Sequence, residues 1–281
     1  MVVTFVALAL VLATGSKWSG PINLPESDAD IHKFVAEWRE KFGAATDIVV
    51  VGGGAVGVEL SGEIRDEYPV RRAIIHDASR IEIYIGVQDK KITIVHGQDN
   101  ILNDAYPIKY RNRVKAGLAA RNIDLVLGEF VQEFPPSGSG ELVFKSEKKL
   151  NAGLVVSFCH PASRTNLTDQ RQVITSGPKP NTEFIGESLG AEILTETKLV
   201  KVEKTLQLSS HPAIFAVGDI IDWKEQKQAA KANGHCPIVV ANVLSFLAGQ
   251  PARKEYEGFP EMIMIINGKV KKSTLPQIRS C

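Results

Sequence analysis

Residues 47 to 64 read DIVVVGGGAVGVELSGEI, a β-branched run, a glycine-dense loop and then helix formers, and this order constrains the chain more than any other feature. Ile48 to Val51 has the unbroken apolar character of a strand buried on both faces of a parallel sheet, and Val56 to Ile64 carries apolar residues at helical spacing. Strand, G-x-G-x-x-G loop and helix form a dinucleotide crossover. In it Gly52 makes the tight turn, Gly54 admits a pyrophosphate to the backbone, and Gly57 lets the helix close on the strand. The helix N-terminus then offers free N–H groups and a positive dipole to phosphate. The alternative for the same letters is a glycine-rich structural turn.

A dinucleotide site expects a ribose-reading residue at the end of the next strand, about 20 positions on. That strand reads KITIVHG, yet its His96 lies 39 positions past Gly57. Residues 70 to 88, VRRAIIHDASRIEIYIGVQ, account for the excess: without these 19 residues His96 lies 20 positions on (39 − 19). Residues 156 to 172, VSFCHPASRTNLTDQRQ, behave likewise, since removing them runs NAGLV into VITSGPKPNTEF, a strand followed by a Gly/Pro turn. Both segments begin with Val and end with Gln. Val-Arg and Val-Ser can be encoded as GTAAGA and GTAAGT, Gln as CAG and Leu167-Thr168 as CTAAC, the letters of intron boundaries and branch points. Both segments are therefore expected to be in-frame introns read as protein, the alternative being two surface loops at modest entropic cost. The terminus VKKSTLPQIRSC is a weaker candidate of the same kind.

The 281 residues suffice for two α/β units, and 33 Lys and Arg against 32 Asp and Glu leave no field favouring nucleic acid. Cys159, Cys236 and Cys281 have no CxxC or metal spacing, which suits a reducing compartment. VVTFVALALVL at the start could serve in a signal peptide but has no basic segment before it, and no other run approaches the roughly 20 apolar residues of a membrane span. A cytoplasmic chain is expected, with peripheral membrane association left open. The six histidines are scattered, so no metal set or nucleophile triad is expected. DADIHKFVAEWREK, from Asp28 to Lys41, reads as an amphipathic helix with Ile31, Phe34, Val35 and Trp38 on one face, and PPSGSG at 135 to 140 as a turn between strands.

In the second half, HPAIFAVGDIIDWKEQKQAAKANGH places a strand over Ile214 to Val217, a turn at Gly218-Asp219 and a helix from Gln228. An acid at the carboxyl end of a strand is a ligand position in an open α/β sheet, although alone it is more often a plain helix cap. Its company decides the matter, because VLATGS, GGGAVG, GPKPNT and AVGD follow in one order. With the wording VLATGSKW, GVELSGEI, ITIVHGQDNIL, SGPKPNTEF, FAVGDI and KANGH, this order resembles the apoptosis-inducing-factor-like flavoprotein reductases, a group that includes the ferroptosis-suppressor NAD(P)H:quinone oxidoreductases.

The resemblance covers nearly everything except the two suspect segments and the tail. It implies an α/β protein with two Rossmann-like dinucleotide-binding domains, an FAD domain interrupted by an NAD(P) domain. Residues 1–45 and 176–281 would be pieces of the FAD domain, 46–155 the NAD(P) domain and 156–175 an insertion or linker. It further implies hydride transfer from NAD(P)H to FAD and on to a quinone-like acceptor. Asp219 and Gly218 would then hold the ribityl or phosphate region of FAD, and Ala13, Thr14 and Gly15 would line its path. Glu59 would sit near the nicotinamide and Lys227 near the flavin. The plainer readings are first-turn helix charge for Glu59 and a solvated surface lysine for Lys227. His96 departs from the acid that favours NAD, so NADPH is admitted beside NADH. A first GxGxxG for the ADP part of FAD is missing, so flavin binding by this chain is expected to be weak. The competing expectations are a non-catalytic NAD(P)-binding fragment and, on the apolar start alone, a secreted binding protein.

Overall fold

A computed structural model describes residues 8–69, 90–158 and 177–268, and the backbone of 272–274. The chain divides into two compact units. One comprises Met1–Lys17, Lys179–Met262 and Gln277–Cys281; the other comprises Trp18–Pro178 and Ile263–Pro276.

The second unit is built on a four-stranded parallel sheet. In spatial order the strands are Ile123–Leu127, Lys91–His96, Asp47–Val51 and Leu154–Ser157, so the third, second, first and fourth of the sheet lie side by side. This is the strand order of a doubly wound dinucleotide fold. Strand alternation sorts the side chains into two cores. Ile48, Val50, Ile92 and Ile94 share one with Val58 and Ile64 of the helix Ala55–Glu67 and with Tyr110, Val114 and Leu118 of the helix Ile108–Ala119. Val49, Val51 and Val95 share the other with Leu142, Phe144 and Ala152. The latter three belong to an antiparallel meander of Val131–Glu133, Gly140–Phe144 and Lys149–Ala152. Burial on both faces explains the unbroken apolar run of the first strand.

The units divide the chain differently from the sequence reading. Residues 18–45 belong with the parallel sheet because the helix Asp28–Ala44 packs Trp38 and Phe42 against its core. As its pattern implies, Ile31, Phe34, Val35 and Trp38 are its half-buried face. The buried ammonium of Lys90 caps the helix's end, donating to Gly43 O at 2.8 Å and Ala45 O at 2.5 Å, with Nζ 4.5 Å from the Tyr68 ring centroid. A cation at a helix C-terminus satisfies carbonyls that the helix leaves over. Lys90→Met is expected to destabilise this unit by about 3–6 kcal/mol, since each of the two charge-assisted bonds contributes roughly 1.5–3 kcal/mol, and urea unfolding would measure the loss.

Residues 263–268 also join this unit: Ile263 and Ile265 enter the helical-side core, and Ile266 N donates to Glu59 Oε1 at 3.0 Å. Val156, Ser157 and Phe158, counted with the suspect insertion on sequence grounds, continue the fourth strand and its core. Residues 70–88 and 159–172 lie outside the described residues.

In the first unit Leu10–Leu12 runs parallel to His211–Ala216, which pairs antiparallel with Gln207–Leu208. Leu12, Phe215, Ala216, Ile220 and Ile221 form a core with Ile185 and with Ile238 and Val239 of the helix Ala229–Leu247. Leu8, Leu10 and Val11 remain exposed. No helix among the described residues is long and apolar enough to cross a membrane.

Candidate functional site

The glycine loop has the geometry its letters imply. Gly52 has φ +120°, its N–H donates to Val95 O at 2.9 Å, and the helix begins at Ala55 with Gly54 as cap. A Cβ on Gly57 would lie 1.9 Å from Gly52 O, and one on Gly54 would meet nothing within 4 Å. Gly57 is therefore required by close packing, while Gly54 leaves open space before the helix N-terminus. Both properties suit a pyrophosphate laid along the backbone.

His96 closes the loop from the neighbouring strand. Gly53 N–H donates to His96 Nδ1 at 3.2 Å, which leaves the proton of the neutral ring on Nε2. That Nε2 has no partner among the described residues although the residue is 9% exposed. An orphaned buried donor at the end of the second strand fits a ribose. Burial pulls the imidazole below its usual 6.5. An unfolded chain takes up a proton near that pH while the folded one does not, so this contribution is complete above about pH 6.5 and lost as pH falls through the lowered value. Unfolding midpoints across this range should fall with acid in the wild type and change less in His96→Asn.

In the first unit the separate motifs converge. Thr14 Oγ1 donates to Asn181 O at 2.6 Å and Asn181 N–H donates to Gly15 O at 2.9 Å, tying ATG to GPKPN. Ser16 Oγ donates to Asp219 Oδ2 at 2.8 Å, and Val217 N–H donates to Leu12 O at 3.0 Å. Gly15 at φ +64° and Gly218 at φ +76° make the two turns, a conformation that costs glycine least. A carboxylate and two glycine turns at the carboxyl ends of paired parallel strands fit the polar part of a flavin nucleotide.

Sequence reasoning missed what holds this turn. Gly218 N–H donates to His235 Nδ1 at 3.0 Å, His235 Nε2 meets Glu225 Oε1 at 2.9 Å, and Tyr256 OH donates to Glu225 Oε2 at 2.8 Å. Burial pushes the Glu225 carboxyl up, but its bonds to His235 and Tyr256 and the nearby Lys231 charge outweigh this and hold it below the usual range. Burial and the Glu225 carboxylate raise the Tyr256 phenol. A signal was present in the spacing: Lys231, His235 and Asn242 form a buried polar stripe on one face of the helix Ala229–Leu247.

The two residues assigned to chemistry have other bonds here. Glu59 accepts the Ile266 N–H within the parallel-sheet unit. Lys227, in the other unit, donates to Ile221 O at 2.6 Å, and burial lowers its pKa against the pull of Glu225, Asp219 and Asp222.

Residues 3–234 match the model of the pyridine nucleotide-disulphide oxidoreductase family. The chain is 39% identical over 260 residues to the FAD-dependent oxidoreductase FVFD30 of Flammulina velutipes, an alignment covering 92% of this chain and 69% of that one. It is 29% identical over 258 residues to ferroptosis suppressor protein 1 of Taeniopygia guttata, covering 88% of this chain and 58% of that one. Among solved structures, a NAD-dependent persulfide reductase from A. fulgidus superposes with a TM-score of 0.62 at 17% identity, over 92% of this chain and 42% of that one, which shows a shared fold.

Proposed function

The chain belongs to the pyridine nucleotide-disulphide oxidoreductase family, and we propose that it works as an FAD-dependent NAD(P)H oxidoreductase with a quinone-like acceptor. The family's cofactors are FAD and a nicotinamide dinucleotide, and the residues present fit both. When bound, the nicotinamide supplies hydride and the flavin accepts it and passes electrons on. The observation that carries the reading is the glycine loop, with Gly57 packed to the backbone limit and the orphaned His96 donor beside it.

In this reading the amides at the start of the helix Ala55–Glu67 hold the pyrophosphate, and His96 Nε2–H donates to the ribose. A neutral single donor neither repels a 2′-phosphate nor requires one, so NADH and NADPH are both substrates. Glu59 holds the nicotinamide carboxamide, which requires it to share or release the Ile266 amide. Asp219, oriented by Ser16, takes a hydroxyl of the flavin side chain, with Thr14, Gly15 and Gly218 shaping its path. Lys227 places positive charge near the flavin. The location proposed is cytoplasmic, with contact to a membrane surface where the acceptor is a lipid quinone.

The test is to incubate the purified polypeptide with FAD, measure retained flavin, and follow NADH and NADPH oxidation with a soluble quinone. Asp219→Ala is expected to weaken flavin binding about tenfold, the loss of one hydrogen bond to a charged group. Dinucleotide binding without flavin uptake or turnover would favour the non-catalytic fragment. Absence of dinucleotide binding would overturn both.

A further inference from the structure

At the carboxyl edge of the parallel sheet, beyond His96, lies an exposed aromatic ring. Phe130 follows the strand Ile123–Leu127 through Gly128, whose φ is +72°, and it is 41% exposed. Its ring is pressed against the turn that follows the neighbouring strand: a Cβ on Gly97 would lie 2.3 Å from Phe130 Cε1. Its backbone is held as well, since Lys145 N–H donates to Phe130 O at 2.9 Å and Glu129 N–H donates to His96 O at 3.2 Å. Lys145 Nζ stands 5.5 Å from the ring centroid. Single exposed aromatics are ordinary; one seated on a glycine at the ligand edge of a nucleotide fold is placed there by the backbone.

Strand order gives the ring its partner. Neighbouring strands lie roughly 4.8 Å apart, so the glycine loop, His96 and Phe130 occupy three successive steps along one edge. In this fold the pyrophosphate sits at the first step and the ribose at the second. The base attached to that ribose then falls over the third. We infer that Phe130, braced on Gly97, is the surface on which the purine base of the dinucleotide stacks, beside the His96 donor to its ribose. An aromatic face offers a purine a large apolar contact that needs no hydrogen-bond code. The exposed Lys145 ammonium yields the ring, because a solvated cation–π contact is weaker than base stacking. The chain thereby recognises an adenosine moiety by its base rather than by charge at the 2′ position. This inference rests on the dinucleotide reading of the glycine loop.

Calorimetric titration of the full chain with ADP-ribose, and separately with nicotinamide mononucleotide, tests it on wild type, Phe130→Ala, Phe130→Leu and Phe130→Trp. Both the alanine and leucine variants should bind ADP-ribose about tenfold more weakly, the tryptophan variant at least as tightly as wild type, and all four should bind the mononucleotide alike. The leucine variant keeps the apolar bulk, which guards against loss of folding in the alanine variant. Unchanged ADP-ribose binding in the leucine variant, or equal losses for both ligands, would overturn the stacking role while leaving the dinucleotide reading intact. A wild type that binds neither ligand would overturn both.

Discussion

Gly57→Ala is expected to weaken NADH and NADPH binding about a hundredfold and to destabilise the parallel-sheet unit by about 3 kcal/mol, the upper end of the usual cost of overpacking. The reason is geometric. The added Cβ would sit 1.9 Å from the Gly52 carbonyl oxygen, and both groups are backbone, so no side chain can turn away to make room. The helix Ala55–Glu67 must shift off the strand Asp47–Val51, and its first amides move with it. Losing two charge-assisted bonds to phosphate, at roughly 1.5 kcal/mol each, the low end of their range, gives the hundredfold. Fluorescence titration and urea unfolding read the two effects separately. Gly54→Ala is the control: a Cβ there meets nothing within 4 Å, so stability should hold. Wild-type affinity in Gly57→Ala would show that the loop is structural only.

His235→Leu should destabilise the other unit by about 3–5 kcal/mol, the cost of leaving a buried charge without its partner. The substitution strands two groups at once, the Gly218 N–H and the Glu225 carboxylate, whose side chain is 3% exposed. His235→Gln, which can accept from one group and donate to the other, should recover part of the loss. Because Glu225 is held below its usual 4.5, its contribution is complete above that pH and fades as pH falls through the lowered value. Wild-type stability should therefore drop on acidification below about pH 4.5, and Glu225→Gln should be less stable at neutral pH but change less with acid. Flavin affinity should fall with His235→Leu, because the Gly218–Asp219 turn loses its anchor. A leucine variant as stable as wild type would show that the network does not hold the Gly218–Asp219 turn.

The local features of the fold were legible because short-range physics writes them. The first strand shows burial on both faces as an unbroken β-branched run, and the three glycines mark a turn, an approach and a packing contact within six residues. His96 could be found at the end of the second strand only after a spacing argument, since 39 positions separate it from Gly57. The meander that covers one sheet face was not legible as a cover. Leu142 and Phe144 look like any alternating strand until the chain brings them over Val49 and Val51. The helix Asp28–Ala44 showed its amphipathic face but not which unit that face meets, and the Lys90 cap joins groups 45 positions apart. His235, Glu225 and Tyr256 escaped for a similar reason: buried polar partners are chosen by tertiary approach, and a lone histidine in a helix has no sequence mark of its tautomer.

The return of residues 263–268 to the parallel sheet has a consequence for the order of synthesis. Ile265 is fully buried in a core whose other members among the described residues end at Ile263 and, before that, at Phe158, about a hundred residues earlier in the chain. A ribosome adding roughly 5–20 residues per second completes the nucleotide-binding loop many seconds before it makes the strand Met264–Ile266. Until that strand emerges, the nascent unit presents an apolar groove over its two helices, with the Glu59 carboxylate lacking the Ile266 amide. This unit can finish folding only once residue 266 has left the ribosome, and a release before residue 263 would leave it open to chaperones and proteases.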